Sequence, residues 1–472
     1  MNNPKEAVRI PVTYDGQESR PLLNNKQQPK LGCARGFICK RCLAGTHENT
    51  RARSFLRRLV IILSLLWFFW TIHHWVNDLA VGANEDCLHH LIPWNGPTTI
   101  TSDTADSIDV SFGKGDIYST VEILTQDHVV QPTVIIDAWV TRNYNEGDVK
   151  EGDGHHRRVR GLEIEVTEVD GRVKVVLTSE DNNGRQGHHW THKKKFCAKV
   201  DIKIVFPPRL RTYNRLAVGG VLLDLDVRRI SQIAFESIYL NSTVGNIVLH
   251  DIGTKEGSND GVQAKDLHIV SVTGSIHIAA TRPVLGYPLQ LKLESTVGSI
   301  KFNATTNPIK SVEGKPSQEL RHNVLLKTTT GHIQAFVRPG VGHADPAVMM
   351  KNGTIPGDVF VSGDSTVGHV ETDLVMAPGQ VLHQELSNMV GSVESIVSDN
   401  YLGAIDVRTD YGSASLTETH DSASSIEYEQ YTKTIKVGHK VLKKGGQGSG
   451  EERGVMVLSS TYGSSRLTFV PL

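Results

Sequence analysis

The chain has 472 residues, with 50 Lys and Arg against 51 Asp and Glu, 39% apolar and 6% aromatic residues, 43 Gly and 5 Cys. These proportions exclude a collagen-like repeat, a disulfide-dense miniprotein and wholesale disorder. Balanced charge also excludes nucleic acid as the main partner, because phosphate contacts need a basic surplus gathered on one folded surface.

The balance is the sum of two opposite regions. Residues 1–58 hold 12 basic and 4 acidic residues, so the remainder carries a net −9. This tail is rich in Asn, Gln, Pro and basic residues and has no apolar periodicity. It cannot bury enough surface to offset the entropy of folding, and is expected to be a disordered cytoplasmic tail. Glu18, Leu22 and Leu23 in Glu18-Ser-Arg-Pro-Leu22-Leu23 resemble an acidic dileucine sorting signal, read by adaptor complexes in an extended segment. Cys33, Cys39 and Cys42 cluster among basic residues, where S-acylation and inert reduced thiols are the two main readings. Zinc would want four ligands, and only His47 is near. The basic stretch suits an anionic leaflet in either case.

Leu59 to Val76, LVIILSLLWFFWTIHHWV, contains no Asp, Glu, Lys or Arg over its 18 residues. As a helix it would reach roughly 27 Å, enough for a thin bilayer. It is apolar all round, unlike a half-buried soluble helix, and His73, His74 and Trp75 suit the headgroup level. A cleavable leader would begin with a much shorter basic region, so the segment reads as an uncleaved signal anchor. Arg51, Arg53, Arg57 and Arg58 precede it, and Asp78, Glu85 and Asp86 follow it. The positive-inside rule then predicts a single-pass type II protein, with everything after the span lumenal or at the cell surface. Acceptor sequons at Asn241, Asn303 and Asn352 all follow the span, as N-glycosylation requires. So do Cys87 and Cys197, which the oxidising side permits to bridge or to remain buried free thiols.

After a linker over 77–97, helical periodicity is nearly absent. The section over 98–211 is expected to be a small antiparallel β assembly. Its clearest signal is Leu162–Glu168 and Arg172–Leu177 around Asp170-Gly171, a pair suited to the positive φ of a type I′ turn. Thr133–Val140 and Phe196–Phe206 read as further strands, the second stopped by Pro207-Pro208.

From 212 to 472 one unit recurs: an alternating strand, a Ser/Thr pair or triplet, a glycine, then a second short strand. Its clearest copies are IYLNSTVGNIVL, LHIVSVTGSIHI, LKLESTVGSIKF and VLLKTTTGHIQA, centred on Gly245, Gly274, Gly298 and Gly331. Looser copies centre on Gly368, Gly391, Gly412 and Gly463. Alternation predicts Val, Ile and Leu on a buried face and Ser, Thr, Lys and His facing out. One unit cannot cover its own apolar face, so copies must stack, with insertions in rim loops. The glycine marks a tight corner or bulge. A mainly β, solenoid-like or elongated stacked-sheet domain is expected, with a β-sandwich as the alternative.

The STVGNI, SVTGSI and STVGSI units resemble the adhesin-like domain of unknown function found in bacterial and fungal proteins, where Gly-centred strands repeat. Fungal single-pass membrane proteins with a basic tail and such an ectodomain look similar overall. The resemblance implies no catalytic residues. It implies an adhesive or scaffolding role toward glycans, cell wall or other proteins, alongside the lipid bilayer.

Enzymatic signals are sparse. His188, His189 and His192 share a polar segment, but Lys193–Lys195 would repel a cation, and His155-His156 sit beside Arg157 and Arg158. Val221-Leu-Leu-Asp224-Leu-Asp226 resembles the metal and nucleotide-sugar site of type II Golgi glycosyltransferases. Carboxylates at that spacing can hold a divalent cation against a diphosphate. That framework needs helices alternating with strands, and none is visible. The sequence therefore predicts no catalytic residue, no metal site, no cofactor and no nucleic-acid partner. A glycan-modifying enzyme using Asp224 and Asp226 is the competing class.

Overall fold

The computed structural model describes Trp67 and Thr71 and, from Leu91 to Pro471, all residues except 95, 97, 114–116, 142–161, 180–196, 209–211, 229, 231–232, 251–261, 285–286, 307–308, 311–320, 340–353, 356, 378, 419–423 and 443–453. The chain divides into two units, Met1–Gly82 and Ala83–Leu472. In the first, Trp67 and Thr71 are helical, and the Thr71 hydroxyl donates to the Trp67 carbonyl one turn earlier at 2.8 Å. Among the described residues no helix is long and apolar enough to cross a membrane. The tail, its sorting and acylation candidates and the rest of the 59–76 span lie outside the described residues.

The second unit is mainly β. Its strands are β1 (Leu91–Pro93), β2 (Thr99–Thr101), β3 (Ser107–Phe112), β4 (Ile117–Thr125), β5 (Thr133–Thr141), β6 (Leu162–Val169), β7 (Arg172–Ser179) and β8 (Ala198–Phe206). There follow β9 (Thr212–Val227), β10 (Ala234–Val244), β11 (Ile247–Leu249), β12 (Val262–Thr273), β13 (Ile276–Pro283), β14 (Gln290–Val297), β15 (Ile300–Thr306), β16 (Ile309–Lys310) and β17 (Arg321–Pro339). The last are β18 (Thr354–Ile355), β19 (Asp358–Leu374), β20 (Leu382–Ser398), β21 (Gly403–Thr417), β22 (Ser424–Tyr431), β23 (Ile435–Leu442) and β24 (Val455–Val470). All but β16 and β18 belong to one 22-stranded sheet.

Each repeat is one rung with two arms that meet at its glycine. First arms pair in parallel from β9 through β10, β12, β14, β17 and β19 to β20. Second arms pair likewise, from the end of β9 through β11, β13 and β15 into the second halves of β17, β19 and β20. The first five spacings between repeat glycines, 29, 24, 33, 37 and 23 residues, are also the offsets between paired strands. Variation in rung length is taken up between the end of one second arm and the next first arm, never at the corner.

The two arms of a rung face each other across the core. A Cβ placed on Gly363, in the first arm of β19, would lie 3.2 Å from Cγ1 of Val370 in the second arm. Leu240, Ile269, Leu293 and Leu326 fill the interior from one side, and Ile247, Ile276, Ile300 and Ile333 from the other. Each such side chain contributes about 1.5–3 kcal/mol by leaving water. The β12–β13 rung shows the winding directly, because Val262 pairs in parallel with Thr281 of the same rung, and the Thr281 hydroxyl donates to the Val262 carbonyl at 3.1 Å.

Two expectations need correction. The section over 98–211 is antiparallel where β5 meets β8 and where β6 meets β7. However, β3 and β4 stack in parallel on the two halves of β9, so a boundary at 211/212 falls inside continuous sheet. Asp170 and Gly171 do turn the β6–β7 hairpin with φ of 50° and 75°. The last rungs also do not stack in chain order. β24 lies between β20 and β21, parallel to both, and β21 continues into an antiparallel end layer of β23 and then β22.

Candidate functional site

The corner is built from the glycines upward. Gly245, Gly274, Gly298, Gly331, Gly368, Gly391 and Gly463 have φ between 131° and 155°, a region that side chains disfavour. From Gly274 onward the glycines also sit on one another. A Cβ on Gly274 would lie 2.0 Å from the Gly245 carbonyl oxygen, and one on Gly391 1.6 Å from that of Gly368. The column continues to Gly463 on Gly391 and Gly412 on Gly463, following the spatial order of the rungs. Gly245 itself rests on the Leu223 carbonyl of β9.

Three residues before each glycine stands a Ser, Thr or Asn: Ser242, Ser271, Ser295, Thr328, Ser365, Asn388, Thr409 and Ser460. All eight are buried. Ser271, Ser295 and Thr328 each donate to the glycine carbonyl of the preceding rung at 3.2 Å. Asn388 donates to Gly368, Ser460 to Gly391 and Thr409 to Gly463 at 2.7–2.9 Å, while Ser242 reaches Leu223. Only Ser365 has no such partner. The expectation that the repeat hydroxyls face outward fails for this position. Parity places it inside, and the hydroxyl satisfies carbonyls that the bent backbone turns away from the regular ladder.

Outward positions form columns across the rungs. Just after the glycines stand His332, His369 and Ser392, with the two imidazoles 6.5 Å apart and His369 Nδ1 2.8 Å from the Ser392 hydroxyl. Two residues on, Gln334 donates to Glu371 at 3.3 Å and Arg466 lies 3.5 Å from Glu394. Just before the glycines the column ends in larger groups. Val390 pairs with Tyr462, and Tyr462 with Tyr411. The two phenol rings stack with centroids 4.9 Å apart and planes 7° apart, while 41% of Tyr462 and 53% of Tyr411 remain exposed. Met389 and Val390 beside them are also exposed. Sequence reasoning missed this patch because each tyrosine is unremarkable in its own repeat, and only the exchange of the last two rungs completes the Val390–Tyr462–Tyr411 row.

The enzymatic candidate is already occupied by the protein's own groups. Asp224 and Asp226 both face outward from β9. Asp224 accepts the Asn246 backbone N–H at 2.7 Å. Asp226 is ion-paired with Arg228, which also approaches Glu122 at 3.6 Å, and His250 Nε2 lies 3.1 Å from its other oxygen. Hydrogen bonding to Asp226, and then its charge, raise the Arg228 guanidinium above its ordinary range. Among the described residues no cluster of three or more His, Cys, Asp or Glu could hold a metal ion.

Asn303 is exposed on β15, whereas Asn241 is half-buried in the middle of β10, between Gly219 and Val270 of neighbouring strands. Cys197 is buried and disulfide-bonded. Cys87, Asn352, His155, His156, His188, His189 and His192 lie outside the described residues.

No protein-family model matches the chain, and no curated protein matches it. Among solved structures it is similar to a "putative cell adhesion protein" from Clostridium sporogenes ATCC 15579, at 7% identity over 79% of this chain and 100% of that one, with a TM-score of 0.14. A likeness at that level carries no argument about function.

Proposed function

We propose that this is a non-catalytic interaction protein, held by a type II signal anchor over 59–76, whose solenoid-like β unit lies on the lumenal or cell-surface side and adheres to glycan. The exposed Tyr411–Tyr462 stack carries the reading. Tyrosine offers an apolar face to the C–H side of a sugar ring and a hydroxyl to its oxygens. The serines that follow the two corner glycines, Ser413 and Ser464, are opposite each other in adjacent strands and add hydroxyls beside the rings. The corner is an apt platform because the glycine column fixes its backbone, so little order is lost on binding.

The test is retention on insoluble wall or matrix polysaccharide. Replacing both tyrosines by Ala is expected to weaken retention at least tenfold, about 1.4 kcal/mol, without changing the melting temperature. Unchanged retention by that double variant defeats the reading. Retention of nucleotide sugar that depends on divalent cation and on Asp224 and Asp226 would favour the enzymatic class instead. The topology is tested separately by an endoglycosidase mobility shift that disappears when Asn241, Asn303 and Asn352 are all replaced by Gln.

A further inference from the structure

Lys440 is the most deeply buried charge in the described residues, with a side chain 0% exposed. It stands on β23 opposite Gly403 of β21. Its Nζ donates to Oδ1 of Asp399, in the turn after β20, and lies 3.6 Å from Oε1 of Glu418, just after β21. That Glu418 oxygen is buried and has no hydrogen bond. The rest of the surroundings is aromatic. Nζ lies 4.1 Å from the centre of the Phe469 ring, and Tyr401 stacks on the other ring partner of that pair, with centroids 5.9 Å apart.

An ammonium with two carboxylates in an apolar pocket leaves one excess negative charge where charge is costly. Moving the ammonium proton to Asp399 removes two buried charges and creates a free amine against a carboxylic acid. We infer that Lys440 and Asp399 condense to an intramolecular isopeptide bond, with Glu418 as the acid and base that relays the proton. The Nζ lone pair attacks Cγ of Asp399. Glu418 takes a proton from nitrogen and returns one to the departing oxygen, the Cγ–O bond breaks, and one water leaves. Ammonium plus carboxylate thus become amide plus water, Glu418 is regenerated, and no oxidant or co-reactant is needed. The unhydrogen-bonded Glu418 oxygen is placed for that relay. The product ties the end of β20 to the end layer, across the threaded β24 and β21, and so locks the C-terminal rungs by a covalent bond.

This inference is independent of the glycan reading. It is tested by mass spectrometry on the full-length protein, intact and after digestion with trypsin. The expected result is a branched peptide joining the Asp399 and Lys440 segments, one water lighter than their sum, with no cleavage after Lys440. In Glu418→Gln the link should be lost while β-sheet circular dichroism is retained. Separate Asp399 and Lys440 peptides of unaltered mass in the native protein overturn the proposal and leave an ordinary buried ion pair. A link that survives Glu418→Gln overturns the role given to Glu418.

Discussion

A methyl group added at Gly298 would sit 2.0 Å from the Gly274 carbonyl oxygen on a backbone with φ of 148°. Neither problem is relieved by a side-chain rotation, because the obstacle is the main chain of the next rung. Gly298→Ala is therefore expected to lose at least about 3 kcal/mol, combining backbone strain with forced separation of two rungs. Ser295→Ala, three residues earlier, deletes only the hydroxyl that reaches Gly274, and should cost about 1 kcal/mol. Denaturant melts of the two variants measure this ordering, and a Gly298→Ala loss no larger than that of Ser295→Ala would remove the column as the reason for glycine. A second buried polar group behaves differently. Gln384, Thr372 and Ser395 close a triangle of hydrogen bonds at 2.8–3.0 Å between facing arms, so one deletion leaves partners unsatisfied on both sides of the core.

At the scale of elements, β24 is the strand on which the C-terminal rungs depend. Val455 is opposite both His383 of β20 and Ala404 of β21, and the buried Met456, Leu458, Leu467 and Phe469 fill the interior between them. Because β24 is made last, β21 to β23 cannot take their final places until the end of the chain arrives. Removing residues 455–472 should expose the facing edges of β20 and β21. The shortened protein is expected to bind a hydrophobic dye and to lose amide protection in β20 and β21 while keeping it in β10 to β17. Uniform protection in hydrogen exchange would show that β24 is dispensable. This is also where legibility in the sequence divides. The eight glycines, the alternation and the stacking of rungs are all local or nearest-neighbour properties, and they could be read directly. The buried Ser/Thr column was legible in parity, since Ser242 follows the inward Leu240 by two residues, but polarity argued against placing it inside. The threading of β24, the Tyr411–Tyr462 row and the Lys440–Asp399–Glu418 group depend on pairings 41–72 residues apart in the chain, for which no local pattern exists.

For the folded unit as a whole, the relevant charge is that of its half-covered histidines. Burial first holds His268, His277 and His383 below their ordinary value of 6.5, with Lys292, Lys301 and Arg321 respectively adding repulsion. Below about pH 6.5 the unfolded chain binds protons at these positions that the folded one still excludes, so stability falls as the pH falls. Asp266 and Asp358 act in the opposite sense. Burial raises both above 3.8, so the folded state takes up their protons first and gains stability on acidification, in a lower window. The melting temperature should therefore drop between about pH 7 and pH 5.5 and flatten further down, as the two carboxyls offset the imidazoles. Melts at constant ionic strength follow this curve, and replacing all three histidines by Gln should level its upper part. A triple variant with the same slope as the native chain would assign the pH dependence to groups other than these imidazoles.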